Sequence, residues 1–470
     1  MRFGCPLALM FALLAASPVL AQSPTSEAYT YRASDGRTID ADRGVIYVLE
    51  NRDDPGSREI PLAWMRLRSP ADSPSAPIVY LAGGPGGSGI ATLDGPRQPM
   101  FLALLEVADV IVFDQRGVGA SGALPRCQVE APFDASQPLT EVTYTAYAAQ
   151  TFETCVAEWQ GQGIDLSGYT TEEAADDVAD LAASLGERRV NLMGISYGTH
   201  LAFSILRRHP ELVDRVVLAS VEGPDQTVKL PAAVDAAFER IDAAVPDLEL
   251  VELMHRVHQA YAQPQPLTIH GPNGETATFY ADAFALQMMA GFIAKNPDGV
   301  SDLALFYSAL DQGAGDAIAP FIYGAFLAEP MAFSGMTEAT DIASGVSLER
   351  RRLLAEQAPS SLLGLAVNFP MPQLVDALPG QDLGDAFRAP VLWNGPALIL
   401  SGDLDIRTPM DEQATAIAGL SGAQTILVHN GGHDLFEAHP DVPGILVEFF
   451  SGRPVTIERL DLPAPVLEQP

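Results

Sequence analysis

The apolar positions of this 470-residue chain follow two different patterns along its length. Between residues 22 and 75, short segments such as GVIYVLE and IPLAWMRLR alternate apolar and polar positions and are separated by turn residues, which predicts antiparallel strands. From residue 76 onwards the apolar runs become continuous, as in PIVYL, DVIVF, RVNLMG and RVVLAS. Unbroken runs are typical of strands covered on both faces, so they predict a mostly parallel sheet in an α/β fold.

One helix is clearly marked between two of these runs. The segment TTEEAADDVADLAASLG opens with Thr170 and Glu173 at the spacing of a capping box, and Gly186 follows as a stop signal. The next apolar run, residues 190–193, is then the strand that leads to Ser196.

Residues 225–390 interrupt the alternation of strands and helices. Segments such as DAFALQMMAGFIAK look mostly helical, and the strand pattern resumes only at PALILSGD and AQTILVH. We therefore predict a helical cap at 225–390, inserted between sheet strands six and seven, with the two parts of the core at 22–224 and 391–470. A separate C-terminal domain is the alternative, but the later strands need a sheet to join.

The first residues, MRFGCPLALMFALLAASPVLAQ, predict a secretory signal peptide at 1–21. Arg2 supplies the positive end, an apolar stretch follows, and Val19 and Ala21 occupy the two positions that a signal peptidase reads. No later stretch is long and apolar enough to span a membrane. We expect an exported protein, periplasmic or extracellular.

Charge and cysteine content narrow the picture further. The formal net charge of -33 argues against nucleic-acid binding, which needs a basic face. Removal of the signal leaves Cys127 and Cys155, and an oxidising compartment favours a disulfide between them, with two buried thiols as the alternative. No His or Cys cluster has the spacing of a metal site, so we expect no metal and no other cofactor.

The segment GISYG places Ser196 between Gly194 and Gly198, at the junction of a strand and a helix. A nucleophile held in so tight a turn needs small residues two positions to either side, so that strand and helix can approach each other. The N-terminus of the following helix favours developing negative charge. A purely structural turn is the alternative, but the strand before and the helix after it favour a nucleophile.

A serine nucleophile needs a base and an acid, which follow it in the order acid, then His, in this type of fold. His429 closes a strand and His439 precedes a proline, whereas His433 lies on a glycine-loosened loop, NGGHDLF, after the last strand. We predict His433 as the base. For the acid, LILSGDLDIRTP offers Asp403 and Asp405, and spacing alone leaves both open.

The segment YLAGGPGGSG, residues 80–89, follows a strand and is dense in glycine. Such a loop can turn backbone amides toward a developing oxyanion. One donor should come from this loop and the other from Tyr197, the residue after the nucleophile. A flexible linker is the alternative, and a phosphate loop is excluded because no Lys-Ser/Thr follows.

Together these motifs resemble those of the α/β-hydrolase peptidases of the proline iminopeptidase and tripeptidyl aminopeptidase type. Four stretches carry the resemblance, in chain order: GGPGGSG (83–89), DQRGVGAS (114–121), GISYGT (194–199), and GDLDIRTP (402–409) with GGH (431–433). The resemblance implies an α/β-hydrolase fold. It also implies a nucleophile, an acid, a base and two oxyanion amides, namely Ser196, Asp405, His433, Gly84 and Tyr197.

The resemblance further implies that Asp114 and Arg116 support the loops around the site, for which an internal ion pair is a physical interpretation. Ala82 stands where iminopeptidases have a His, which favours the secreted, tripeptidyl type. The family binds a free substrate amine with acidic residues of the cap, and no motif marks them here. Glu222, just after a sheet strand, is a candidate, with a surface or loop role as the alternative.

The sequence thus predicts an exported serine hydrolase that acts on a peptide or small acyl substrate. The first hypothesis is an aminopeptidase that releases short N-terminal units, prolyl or tripeptidyl, through an acyl-enzyme. A carboxylic-ester hydrolase on the same triad is the alternative. A catalytically silent, hydrolase-like binding protein is the third hypothesis, and the oligomeric state stays open.

Overall fold

The architecture is organised around a ten-stranded sheet. The computed structural model describes residues 23–122, 124–271 and 273–467, so the predicted signal peptide lies outside the described residues. The strands are β1 (Thr25–Arg32), β2 (Thr38–Leu49), β3 (Glu59–Leu67), β4 (Ile78–Leu81), β5 (Val110–Phe113), β6 (Cys127–Gln128), β7 (Val190–Ser196), β8 (Val213–Val221), β9 (Gln265–His270), β10 (Thr276–Ala281), β11 (Ala332–Phe333), β12 (Ala397–Gly402), β13 (Ala423–His429) and β14 (Arg459–Asp461).

Helices cover both faces of the sheet and fill the insertion. They are α1 (Gln98–Leu104), α2 (Glu141–Gly161), α3 (Thr171–Ser184), α4 (Tyr197–Arg208), α5 (Pro231–Ala244), α6 (Leu250–Ala260), α7 (Ala283–Ile293), α8 (Gly299–Asp311), α9 (Gly315–Phe326), α10 (Met336–Ser344), α11 (Leu348–Gln357), α12 (Gly384–Arg388), α13 (Met410–Ile417) and α14 (Val442–Phe450). None of the helices in the described ranges combines the length and the apolar character that crossing a membrane requires.

The strand order of the main sheet is β1-β2-β3-β5-β4-β7-β8-β12-β13-β14. The pairs β1–β2, β2–β3 and β3–β5 are antiparallel, and the pairs from β5–β4 to β13–β14 are parallel. The predicted change from antiparallel to parallel strands near residue 76 is therefore confirmed.

The short strand β4 shows why the apolar runs are continuous. Ile78 and Tyr80 pack into the apolar layer that contains α1 and α14, whereas Val79 and Leu81 pack into the opposite layer with α3 and α4. All four side chains are at most 1% exposed. Because both faces of the strand are covered, no position is left for a polar residue.

The helix predicted from its capping signal is α3. Thr170 accepts a hydrogen bond from the backbone N–H of Glu173, as an N-cap residue should. The Glu173 carboxylate instead accepts a hydrogen bond from the backbone N–H of Arg52 and pairs with the Arg52 guanidinium. The side chain of Glu173 thus ties the start of α3 to the N-terminal strands.

The insertion lies between β8 and β12, which are the sixth and seventh strands of the main sheet when the edge strand β1 is left out of the count. It contains α5 to α12, as the mostly helical pattern predicted, but also the antiparallel hairpin β9–β10. The sequence carries a local signal for this hairpin. Asn273 and Gly274 form a turn dipeptide typical of hairpins, and Gly274 has a φ of +81°.

The two cysteines of the described chain join β6 to α2 through a Cys127–Cys155 disulfide. The bond closes a loop with a sequence separation of 28 residues. In the chain-entropy model a loop of that length is worth about 3 to 4 kcal/mol. Since β6 also pairs with β11 of the insertion, the disulfide anchors a contact between core and cap.

Candidate active site

Ser196 ends β7 and immediately precedes α4, with φ of 56° and ψ of −129°. Few residues with a side chain adopt this backbone conformation, which is typical of a nucleophile turn. A Cβ at Gly194 would lie 2.5 Å from the carbonyl oxygen of Gly198, and a Cβ at Gly198 would lie 2.0 Å from that of Leu81. Both glycines are therefore required by the close approach of α4 to the strands beneath it.

Asp405 and His433 are brought together at the end of the sheet. The Nδ1 atom of His433 lies 2.9 Å from Oδ2 and 3.1 Å from Oδ1 of Asp405, which is fully buried. The backbone N–H groups of Arg407 and Thr408 donate to Oδ1 at 2.7 and 2.9 Å, and the Thr408 hydroxyl donates to Oδ2 at 2.7 Å.

Several interactions keep this carboxylate charged. Burial by itself would raise the pKa of Asp405, but the neighbouring His433 and the hydrogen bonds from Thr408 hold the pKa below its ordinary value. An ionised Asp405 accepts a hydrogen bond from Nδ1–H of His433. The other ring nitrogen, Nε2, is then left as the acceptor, as a general base requires.

The alternative acid, Asp403, and the alternative bases, His429 and His439, contact other residues. Asp403 accepts a hydrogen bond from the backbone N–H of Asn430 at 2.7 Å, and its Oδ2 lies 2.6 Å from Nδ1 of His429. His439 lies 3.8 Å from Asp441. Of the two candidate acids, Asp405 is the one that contacts His433, the histidine that lines the same cavity as Ser196, and its catalytic role stays a prediction.

Ser196 and His433 line one cavity of about 420 Å³, together with Gly83, Gly84 and Ile195. Cavities of this size, within the range of about 300 to 1,000 Å³, are typical of small-molecule sites. Ser196 and His433 therefore border the same space.

The glycine-rich loop passes directly over the nucleophile. A Cβ at Gly83 would lie 2.9 Å from the carbonyl oxygen of Ile195 and 3.1 Å from Cβ of Ser196, and Gly84 has a φ of +128°. Tyr197 is the first residue of α4, so its N–H has no acceptor within the helix. Of the two predicted oxyanion residues, Gly84 lines the same cavity as Ser196, and Tyr197 directly follows Ser196 in the chain.

Asp114 supports the glycine-rich loop of the site, the supporting role of Arg116 stays a prediction, and an ion pair between the two is wrong. Asp114 accepts hydrogen bonds from the Ser88 hydroxyl at 2.6 Å and from the backbone N–H of Ile90 at 3.1 Å, which fixes the glycine-rich loop. Arg116 is fully buried and pairs with Asp177 of α3 at 2.6 Å. The two side chains reach different elements, so each finds a separate partner.

The sequence pattern of the alpha/beta hydrolase fold matches residues 76–440, which is more than half of the chain. The chain belongs to this family. Among its relatives, the tripeptidyl aminopeptidase of Streptomyces coelicolor is 31% identical over 155 residues, which cover 32% of this chain and 29% of the relative. Serine protease Hip1 of Mycobacterium bovis is 27% identical over 188 residues, 39% of this chain and 36% of the relative.

The matched segments thus span only about a third of the length of these curated relatives. Among solved structures, the proline iminopeptidase-related protein of Thermus thermophilus is 16% identical, with a TM-score of 0.38 over 87% of this chain and 96% of that protein.

Glu222, the candidate for binding a substrate amine, already has an internal partner in this α/β hydrolase. Its carboxylate lies 2.6 Å from Nζ of Lys229 and 4.0 Å from Nδ1 of His200. Burial would raise the pKa of Glu222, but Lys229 and His200 hold the pKa below its ordinary value. The carboxylate of Glu222 is therefore already paired with a lysine of the chain.

Two residues that no motif predicted hold the His433 loop of the hydrolase. Asn296, in the cap between α7 and α8, accepts hydrogen bonds from the backbone N–H groups of His433 at 2.9 Å and Asp434 at 3.0 Å. Ser220, in β8, donates from its hydroxyl to the carbonyl oxygen of His433 at 2.6 Å. These contacts join segments more than a hundred residues apart, so a single sequence carries no local signal for them.

Proposed function

We propose that this α/β hydrolase is a serine hydrolase that cleaves acyl bonds of peptides through an acyl-enzyme. One observation carries the proposal. Ser196 lies on a strained strand–helix turn and lines the same cavity as His433. The Nδ1 atom of His433 contacts the buried carboxylate of Asp405. This is the combination of nucleophile, base and orienting acid that acyl transfer requires.

The reaction follows from these positions. As the Ser196 oxygen attacks the substrate carbonyl, Nε2 of His433 takes the hydroxyl proton, and Asp405 stabilises the imidazolium that results. The backbone amides of Gly84 and Tyr197 stabilise the negative charge on the carbonyl oxygen. His433 then passes the proton to the leaving amine, which departs and leaves an ester on Ser196. A water molecule, deprotonated by His433, hydrolyses that ester and restores the hydroxyl.

The substrate that we propose is a peptide from which a short N-terminal unit is released. The similarity to the Streptomyces coelicolor tripeptidyl aminopeptidase supports this choice, as does a cavity of about 420 Å³, which suits a short segment of chain. We also propose that the protein is exported. The first 21 residues support this, and so does the Cys127–Cys155 disulfide, since such bonds persist in oxidising compartments.

Labelling with a fluorophosphonate probe tests the nucleophile. Ser196→Ala should abolish labelling and lower kcat on the order of 10⁶-fold. The matched control is Ser204→Ala on α4, because the Ser204 hydroxyl is buried without a hydrogen-bond partner and its loss should leave labelling intact. Labelling that persists in Ser196→Ala would refute the assignment.

The substrate class is tested with tripeptidyl p-nitroanilides carrying a free or an acetylated N-terminus, beside simple p-nitrophenyl esters. We expect hydrolysis of the free peptides. Turnover of the esters alone would refute the peptidase proposal and favour the ester hydrolase. Absence of both labelling and turnover would favour a silent binding protein.

A further inference from the structure

The charged side chains around the active-site cavity do not follow the charge of the whole chain. Besides His433, the described residues that line the cavity include three cationic side chains, Arg97, Lys295 and Arg407, and a single carboxylate, Asp434. The chain as a whole carries a formal net charge of -33. A cationic cavity in an acidic protein indicates selection for an anionic group rather than a general surface property.

Two of the three cations are paired with carboxylates of the protein, and Nη2 of Arg97 also lies 3.8 Å from Glu437. Asp434 lies 2.9 Å from Nη2 of Arg97 and 2.8 Å from Nζ of Lys295, and it accepts a further hydrogen bond from Nδ2 of Asn296 at 2.7 Å. The lining carboxylate is therefore saturated, and it offers no free acceptor to a substrate amine.

Arg407 differs from the other two cations. Its Nη1 donates to the carbonyl oxygen of Val367 at 3.3 Å, and no carboxylate of the described chain lies within 4.0 Å of its guanidinium. A guanidinium has five N–H donors, so most of its hydrogen-bonding capacity is unused by these contacts. Burial lowers the pKa of Arg407, while the carboxyl groups of Asp405, Glu222 and Asp341 act in the opposite direction.

The position of Arg407 relative to the chemistry is fixed by the backbone. Its own N–H donates to Oδ1 of Asp405 at 2.7 Å, so the residue belongs to the turn that holds the acid. Its side chain lines the cavity that also contains Ser196 and His433. A substrate group that meets this guanidinium is therefore bound close to the reacting carbonyl.

We propose that Arg407 binds a carboxylate of the substrate, so that the enzyme prefers acyl groups that carry an acidic side chain or a free carboxylate. A planar guanidinium pairs with a carboxylate through two parallel hydrogen bonds, and such a pair gains strength where water is partly excluded. The inference rests on the proposed acyl transfer at Ser196, and it names the class of substrate on which that transfer acts.

The test compares charged and neutral substrates of the same shape. Tripeptidyl p-nitroanilides with Glu or Gln at one position at a time report on an acidic side chain, and mono-p-nitrophenyl succinate beside p-nitrophenyl butyrate reports on a free carboxylate. The measured quantity is the ratio of kcat/KM for the charged and the neutral member of each pair. We expect a ratio of at least about tenfold in at least one pair, the size of a charge-assisted hydrogen bond.

Arg407→Gln should bring that ratio to about 1, and Arg407→Lys should leave an intermediate ratio because it keeps the charge but loses the planar fork. The control is Arg352→Gln, which removes the same single positive charge as Arg407→Gln. Arg352 forms an exposed i,i+4 pair with Glu356, so this variant should keep the wild-type ratio. Because both members of a pair depend on the same triad, damage to the turn of Asp405 lowers both rates and cancels in the ratio.

No charge preference in the wild-type protein, or a preference that survives in Arg407→Gln, would overturn the proposal. Preference in the ester pair with inert peptides would support anion binding while refuting the peptidase. Binding of the Glu and Gln peptides to Ser196→Ala is measured separately by calorimetry. A complete lack of turnover would refute acyl transfer. Equal affinities of the Glu and Gln peptides for Ser196→Ala would refute the role of Arg407.

Discussion

Replacement of Asp405 by Asn tests the acid of the site with almost no change of shape. The Oδ1 atom accepts two backbone N–H groups, from Arg407 and Thr408, and only the oxygen of a carboxamide can take that place. The amide nitrogen of Asn must therefore occupy the position of Oδ2, 2.9 Å from Nδ1 of His433. There it donates a hydrogen bond to Nδ1, which stabilises the tautomer with its proton on Nε2.

An imidazole with a proton on Nε2 cannot accept the proton of the Ser196 hydroxyl. In serine hydrolase triads this wrong tautomer lowers kcat by about 10⁴-fold, which corresponds to about 5 kcal/mol of activation free energy. The assay is steady-state hydrolysis of a p-nitrophenyl ester, because esters report on the triad whatever the peptide preference. We expect kcat to fall by this amount and KM to change little.

Asp403→Asn is the matched control, since Asp403 also follows β12 and also contacts a histidine, His429, at 2.6 Å. It should retain kcat within about threefold, because neither Asp403 nor His429 lines the cavity. A variant Asp405→Asn with more than a tenth of the wild-type kcat would refute the tautomer argument. If Asp403→Asn lost most of its kcat while Asp405→Asn stayed active, Asp403 would be the acid instead of Asp405.

Two further predictions concern stability. Gly198→Ala should lower the free energy of unfolding by about 1 to 3 kcal/mol, because its Cβ would overlap backbone atoms. Gly444→Ala is the control, since a Cβ at this helical position meets nothing within 4 Å, and it should raise the free energy of unfolding by up to about 1 kcal/mol. Urea titrations measure both changes. Burial lowers the pKa of His258 from 6.5 to about 4, so the folded state excludes a proton that the unfolded chain binds. The free energy of unfolding should fall by up to about 3 kcal/mol as the pH drops from about 6.5 to about 4, and an undiminished fall in His258→Gln would contradict this origin.

The sequence predicted those parts of the fold whose signals are local. Continuous runs such as Ile78–Leu81 reflect burial on both faces, and Gly194 and Gly198 reflect a close approach that tolerates no Cβ. Both constraints restrict the residue type at the position itself, so they leave a visible trace in the sequence. The hairpin β9–β10 lies among apolar segments with a helical pattern, and the dipeptide Asn273–Gly274 is its local signal in the sequence.

In the candidate site, too, the sequence predicts residues with local motifs but not contacts between distant segments. Ser196, Asp405 and His433 carry motifs of their own, but the partner of Arg116 is Asp177, and no local pattern indicates that pair. The contacts of Asn296 likewise depend on how the cap lies on the core. Interactions between distant segments are set by tertiary packing, and spacing along the chain does not encode them.

Backbone strain in the described chain is concentrated around this site. Four non-glycine residues have a positive φ, and three of them belong to its framework: Ser196, Ser220, whose hydroxyl holds the carbonyl of His433, and Asn430, three residues before that histidine. Each such conformation costs on the order of 1 to 3 kcal/mol and persists only where surrounding contacts enforce it. The fully buried strands beneath them provide that enforcement, so a rigid core allows the nucleophile and the base to be held ready for a substrate.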